Sequence, residues 1–343
     1  MAPSIRARVA AVAAVAIVST GALVACGSRK VPAGPAISTS ATATSTPTPF
    51  PTLVSPLTGL PVATLGPVVA VKIDNVGTYG QNGLDAADVV YAEEVEGGLT
   101  RLLALFSSTT PTQAGPVRSA RESDLEALGQ YGKVALAFSG ANAGVLREIR
   151  TANVRDDSYD DVTGVYALDH DRPAPYQFVV NVKKLAGQYP GAAAKDVGFR
   201  FAATPPAPSA AMPARPGRTL TVRFPATTLT ASYAGGVYTI SRDGRALSTD
   251  GQPVTATNIL LQTVTVRSSR FVDHNGSRTP YSVTIGSGQA ALLRGGTRYA
   301  GTWTRAGQTS ETSWAASGGG ALTLAPGRTW VILVPAGAAL ASS

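Results

Sequence analysis

The densest set of reactive side chains in this sequence lies around a Gly-Gly pair, in Glu93-Glu94-Val95-Glu96-Gly97-Gly98-Leu99-Thr100-Arg101. Two glycines between apolar runs signal a two-residue hairpin turn. That turn would pair Glu96 with Leu99, Val95 with Thr100 and Glu94 with Arg101. Paired residues share a face of a sheet, so the pattern puts Glu94, Glu96 and Arg101 together and Glu93 on the far side. Such a cluster is either a cross-strand ion pair, worth well under about 1 kcal/mol, or a pair of carboxylates beside a guanidinium. In the second case Glu94 and Glu96 are the candidates for acid–base work, and Arg101 is a candidate for holding a polar ligand.

Three further stretches have chemical potential. Gly115-Pro116-Val117-Arg118-Ser119-Ala120-Arg121 leads into a helix-like segment with two overlapping S-x-x-E patterns, Ser119 with Glu122 and Ser123 with Glu126, each readable as a capping box. Arg118, Ser119 and Arg121 near a helix start suit a carboxylate, phosphate or sulfate. Phe138-Ser139-Gly140-Ala141-Asn142 joins a strand end to a helix start, where α/β sheets commonly bind ligands. It has neither the glycine spacing nor the Lys of a nucleotide loop, so Ser139 is a candidate ligand contact. A nucleophilic role would need a base, and the chain has only His170 and His274. Asp169-His170-Asp171-Arg172 reads as a surface turn, because adjacent side chains of an extended segment point opposite ways. No metal site and no cofactor are expected.

These residues need elements to hold them. From Val68 to Arg150 strand-like and helix-like runs alternate: 68–73, 88–96, 99–106, a helix-like 121–131, 134–138, and a helix-like 142–150. That argues for an α+β or α/β domain over residues 53–200. Residues 201–219 contain five prolines and no hydrophobic period, as a linker would. Residues 220–335 carry many short β-rich runs punctuated by Gly, Asn and Asp, the pattern of a mostly antiparallel β domain, and 336–343 read as a tail.

Charge divides along the same boundary. Residues 53–199 hold 12 basic and 17 acidic side chains, whereas 200–343 hold 13 basic, all Arg, and 4 acidic. The imbalance implies mutual attraction of the halves, or a cationic face toward anionic lipid, a cell-wall polymer or an envelope protein.

The first 52 residues predict location. Arg6 and Arg8 precede an uncharged, Ala-rich run over 9–25, the layout of a secretory signal peptide. Its end, Leu23-Val24-Ala25-Cys26, has lipobox form, and Cys26 is the only cysteine. A diacylglyceryl thioether there would supply the two chains that stable anchoring needs. Residues 26–52, rich in Ser, Thr, Ala and Pro, read as a disordered tether. The expected site of action is the extracytoplasmic face of the cell membrane, where nucleic acid is not an expected partner.

The motifs also carry a family resemblance. Pro56-Leu57-Thr58-Gly59, VAVKIDN, QNGLDAADVVYAEEVEGGLTRLLALF, GPVRSARESDL and DRPAP occur in order, followed by TNILLQTV, VTIGSGQAALLRGG, GTWTR and LAPGRTWVILVP. This succession resembles the YerB-like lipoproteins, a bacterial family defined by a domain of unknown function with N- and C-terminal parts. The resemblance implies a two-domain, membrane-anchored extracytoplasmic protein and brings no established activity. Family members often read A-P-H-N after the Arg-Pro, whereas here Tyr176-Gln177 follow Pro175. The resemblance therefore favours binding over catalysis. The expectation is an anion-binding envelope protein. The alternatives are a cell-wall hydrolase or transferase using Glu94 and Glu96, and an envelope scaffold acting through the cationic β domain.

Overall fold

The computed structural model describes residues 52–77, 79–189, 193–210, 212–272 and 276–343. Cys26, the signal segment and His274 lie outside the described residues.

In the first half, strands β1 (Val69–Ile73), β2 (Val89–Glu94), β3 (Thr100–Phe106), β4 (Val134–Ala137) and β5 (Val154–Asp156) lie in the order β2-β3-β1-β4-β5. The first two joins are antiparallel, and β1-β4 and β4-β5 are parallel. Helices α1 (Glu122–Leu128) and α2 (Ala143–Ile149) cover one face. A small hairpin, β6 (Tyr166–Leu168) and β7 (Phe178–Val180), leads into α3 (Val182–Gly187) on the other. This is the mixed α+β half that the alternating pattern anticipates.

The second half is largely antiparallel sheet, again as the pattern anticipates. Strands β8 (Thr219–Arg223), β9 (Thr228–Ala234) and β10 (Val237–Arg242) form a small sheet. Its far edge is β17 (Leu340–Ser342), with Leu340 opposite Val222, so residues 336–343 are not a free tail. The remaining strands are β11 (Asn258–Val272), β12 (Arg278–Val283), β13 (Gly286–Arg294), β14 (Thr297–Arg305), β15 (Ser313–Ala316) and β16 (Thr329–Pro335).

These strands do not form a separate body. The main sheet runs β15-β14-β13-β11-β16-β2-β3-β1-β4-β5, with β16 parallel to β2 and Tyr91 opposite Val331. The described residues thus form one compact unit. The proline-rich segment 201–219 is tied to it, because Met212 is buried and Arg215 and Pro216 pair with β14. Proline there marks irregular backbone rather than a hinge. The edge of β2 explains the union: β16 pairs with its backbone, while Val89 and Tyr91 are buried in the core on one face and Val90 in the core on the other, both cores being built from both halves. One face of the sheet packs on β8–β10, and the other on α1 and α2.

Charge works at the junction. Arg242 donates to the carbonyls of Asn75 and Gly77, Arg305 to that of Glu126, and Arg328 to that of Asp85. Arg270 pairs with Glu148. Part of the arginine excess of the second half is spent on oxygens of the first.

Candidate anion-binding site

The site begins with one lysine in an apolar strand. On β1, Val69, Val71 and Ile73 face the small sheet, so Lys72 points the other way, beneath α1. It is fully buried, and its ammonium bonds Glu93 on β2 and Asp124 on α1, the latter at 2.6 Å. Glu93 also accepts from Ser123 Oγ at 2.6 Å. One cation therefore faces two carboxylates. Burial pushes Asp124 up, to about 6, and the charge of Glu93 adds to this. Burial acts on Glu93 too, but Lys72 and its hydrogen bonds outweigh it and hold Glu93 below the usual carboxylate range.

The hairpin register differs from the expected one. Glu93 lies opposite Arg101 and Glu94 opposite Thr100, and Val95 N–H reaches Leu99 O across a three-residue turn of Glu96, Gly97 and Gly98. Both glycines take positive φ, 71° and 70°, conformations that cost a side chain strain. The added turn residue moves every side chain of one strand by one position relative to the other. Glu93, not Glu94, shares the face with Arg101. Glu94 lies half-buried on the opposite face, and burial raises its carboxyl. Glu96 is in the turn, paired with Arg121. Glu94 and Glu96 thus do not form the shared-face carboxylate pair that a two-residue turn would give.

The capping boxes also resolve differently. Arg121 is the N-cap of α1, and its N–H goes to Asp124 Oδ2 at 2.7 Å. Ser119 instead donates to Ser139 O at 3.1 Å, and Ser123 is used by Glu93. Glu126 turns to the second half, accepting from Thr284 Oγ1 at 3.1 Å, from Ile285 N–H at 2.9 Å, from Thr284 N–H and from Tyr281. The hydroxyls have long-range partners, so the local capping pattern is not used.

Three arginines meet here. Arg118 and Arg121 come from the extended segment before α1, which lies between β1 and the end of β4: Arg118 N–H reaches Lys72 O, and Ser139 N–H reaches Arg118 O. Arg118 Nη1 pairs with Asp74 at 3.0 Å, and its guanidinium lies 5.0 Å from the Tyr176 ring centre. Arg121 Nη2 and Nε bond Glu96 Oε2 at 2.6 and 3.1 Å, and Nη1 bonds the carbonyls of Ser119 and Ala120. Burial pushes Glu96 up, but Arg121 and the Thr279 hydroxyl overcome it and hold it at about 2.

Arg101 sits between these two ion pairs. It is 7% exposed, its side chain makes no ion pair or hydrogen bond among the described residues, and its buried Nε is unsatisfied. Burial, then repulsion by Arg121 and Arg118, bring its pKa down to about 10, while Asp74 and Glu96 attract it. The local balance is three guanidiniums against two carboxylates that are already engaged. A buried charge without a partner costs several kcal/mol in roughly the range seen when one member of an ion pair is removed. An anion placed against Arg101 offsets that cost.

Beside this cluster lies a cavity of about 570 Å³, lined by Glu96, Ser119, Arg121, Gly140, Asn142 and Thr279, among others. Ser139 forms part of the same junction. Asn142 caps α2 and donates to Val272 O, so the β11–β12 hairpin forms the facing wall. His170 and Asp171 lie in an exposed turn, with Asp169 paired to Arg172. No group of three or more metal-ligating side chains occurs among the described residues.

Arg101, Arg118, Ser119, Arg121 and Ser139 are therefore brought into one neighbourhood. Sequence reasoning missed Lys72, Asp74 and Asp124. The available signal was Lys72 itself, a lone charge inside the otherwise apolar run VAVKI. It missed the placement of Tyr176 as well, since the DRPAP loop is remote in sequence from Arg118.

The chain belongs to the YerB-like family, because family models match both of its parts and together cover most of it. Residues 57–196 match the "Protein of unknown function (DUF3048) N-terminal domain" and residues 220–331 the matching C-terminal domain. The chain is similar to the Bacillus subtilis (strain 168) protein described as "Putative lipoprotein YerB", at 27% identity over 308 residues, covering 82% of this chain and 86% of that one. The crystal structure of YerB from B. subtilis superposes with a TM-score of 0.68 at 23% sequence identity, covering 84% of this chain and all of that one. At that identity the likeness establishes the fold. The two matched segments meet in one continuous sheet here.

Proposed function

We propose that this protein is a lipoprotein held on the extracytoplasmic face of the cell membrane through Cys26, and that it binds an anionic group of an envelope polymer or partner protein. The single observation that carries the binding reading is Arg101: buried, its guanidinium without a partner among the described residues, and flanked by Arg118 and Arg121. Arg118 adds the N–H groups not used on Asp74. Arg121, whose guanidinium is committed to Glu96 and two carbonyls, acts by charge. Ser119, Ser139 and the adjoining cavity leave room for the uncharged part of a ligand. The anchoring part rests on the lipobox at Cys26 and is supported by the description of the B. subtilis relative as a lipoprotein.

The test is Arg101→Met, read by thermal unfolding with and without inorganic phosphate. Loss of an unpaired buried charge should leave the melting temperature unchanged or raise it, and the phosphate-induced rise of the parent should disappear. A variant that melts lower and keeps the phosphate response would show that Arg101 is structural and that the anion site lies elsewhere. For the anchor, Cys26→Ser should move the protein from the membrane to the soluble fraction. Retention in the membrane would refute lipid attachment at that residue.

A further inference from the structure

The arginine cluster continues into an aromatic and cationic strip that the anion reading alone does not use. Tyr176, on the loop between β6 and β7, has Arg118 against its ring, and Tyr79 lies 5.6 Å from it, centre to centre, at an interplanar angle of 41°. Tyr79 is 37% exposed and so presents ring surface to solvent. Residues 74–77, which precede it, are held by hydrogen bonds. Asp74 accepts the N–H groups of Val76 and Gly77, and Arg242 holds the carbonyls of Asn75 and Gly77. A Cβ at Gly77 would fit tightly, 3.1 Å from the Tyr176 ring and 3.3 Å from Asp74 Oδ2.

On its other side Tyr79 shares a small recess of about 80 Å³ with Arg242 and Arg245 of the second half. The Arg245 side chain is exposed and has no ion pair or hydrogen bond among the described residues. An exposed aromatic ring thus lies between two cationic ends. Arg118, with Arg101 behind it, forms one end, and Arg245 forms the other.

We propose that the ligand is an anionic glycan with more than one charged unit, and that it spans both halves of the fold. This rests on the anion reading above. An acidic residue of the chain would meet Arg101 and Arg118, a sugar ring would lie on Tyr79, and a second acidic group would reach Arg245. The arrangement suits a saccharide because an aromatic face packs against the C–H face of a sugar ring without a specific hydrogen-bond code. A small anion would use one end only. A glutamate peptide would use both ends but has no sugar ring to lay on the tyrosine.

The experiment is a titration of the full chain, in detergent, with four probes: a tetra-uronate oligosaccharide, glucuronate, an acidic glutamate tetrapeptide and inorganic phosphate. The tetra-uronate should bind at least tenfold more tightly than either glucuronate or the glutamate tetramer. Tyr79→Ala should erase the preference over the glutamate tetramer. Arg245→Gln should weaken the tetra-uronate several-fold and leave phosphate unchanged. Equal binding of the glutamate and uronate tetramers would overturn the glycan assignment in favour of an acidic protein segment. Equal binding of tetra-uronate and glucuronate would overturn the two-ended site. In both cases a phosphate response that depends on Arg101 would leave the anion reading standing. Absence of any phosphate response would overturn both.

Discussion

Lys72→Met tests the buried charge cluster beneath the arginines. Lys72 is fully buried, and the side chains of Glu93 and Asp124 are 3% and 1% exposed. Removing one member of such a set costs about 3–5 kcal/mol, since the remaining charge has no water to turn to. Here two carboxylates would be left facing each other. Both would then have folded-state pKa values above their unfolded ones. A raised acid is more protonated in the folded state, so its contribution falls as pH rises through the unfolded and then the folded value, by about 1.4 kcal/mol per unit of difference. The variant should therefore lose most of that energy at pH 8 and recover much of it at pH 5. In the parent, Asp124, raised to about 6, has the same sign. Glu93, held low by Lys72, has the opposite sign: its contribution is present above its unfolded value and is lost as pH falls through its folded one. The assay is urea unfolding of parent and variant at both pH values, with Lys72→Met/Asp124→Asn as a rescue. A destabilisation equal at pH 5 and pH 8, or a double variant no better than the single, would refute the coupling of these three groups.

Two further outcomes follow from the same contacts. Glu126→Ala leaves the N–H groups of Thr284 and Ile285 and two hydroxyls without their acceptor. At about 1–3 kcal/mol for a buried unsatisfied group, and without simple additivity, urea unfolding should register a loss of roughly 3 kcal/mol; a change under about 0.5 kcal/mol would mean that this join carries little. Gly144→Val drives a Cβ to 2.2 Å from the Phe271 ring, which predicts overpacking by about 1–3 kcal/mol. Combining it with Phe271→Ala should cost less than the two single losses together, and strict additivity would show that the residues do not press on each other.

Much of this organisation is legible in the sequence because it is local. The apolar runs over 68–73, 99–106, 134–138 and 330–334 appear as strands with small shifts at their ends, and Asn142 caps its helix as its type suggests. The shared neighbourhood of Arg101, Arg118 and Arg121 is also foreshadowed, since the EGGLTR and GPVRSAR motifs are compact. What is hidden is set by distant partners. The hairpin register turns on one extra turn residue, which Gly97-Gly98 does not specify. The capping pattern of Ser119 and Ser123 is overridden by Ser139 O and Glu93, neither of which is near in sequence. The strand over 228–234 carries little local signal, since TLTASYA is short of large apolar residues, yet Leu229 and Ala231 are buried against neighbours. Proline-rich composition over 201–219 was a sound sign of irregular backbone and a poor guide to independence.

The parallel pairing of β2 with β16 has a consequence for how the molecule is made. Val89 and Thr329 are partners about 240 residues apart, and contacts of such separation slow folding because a long loop must close first. Until the last segment has emerged, the apolar outer edge of β2 has no neighbour, and open apolar edges recruit other chains. A chain stopped before Thr329 would leave a sticky intermediate rather than a working first half. The central pairing of the sheet therefore cannot be completed until the C-terminal segment is present.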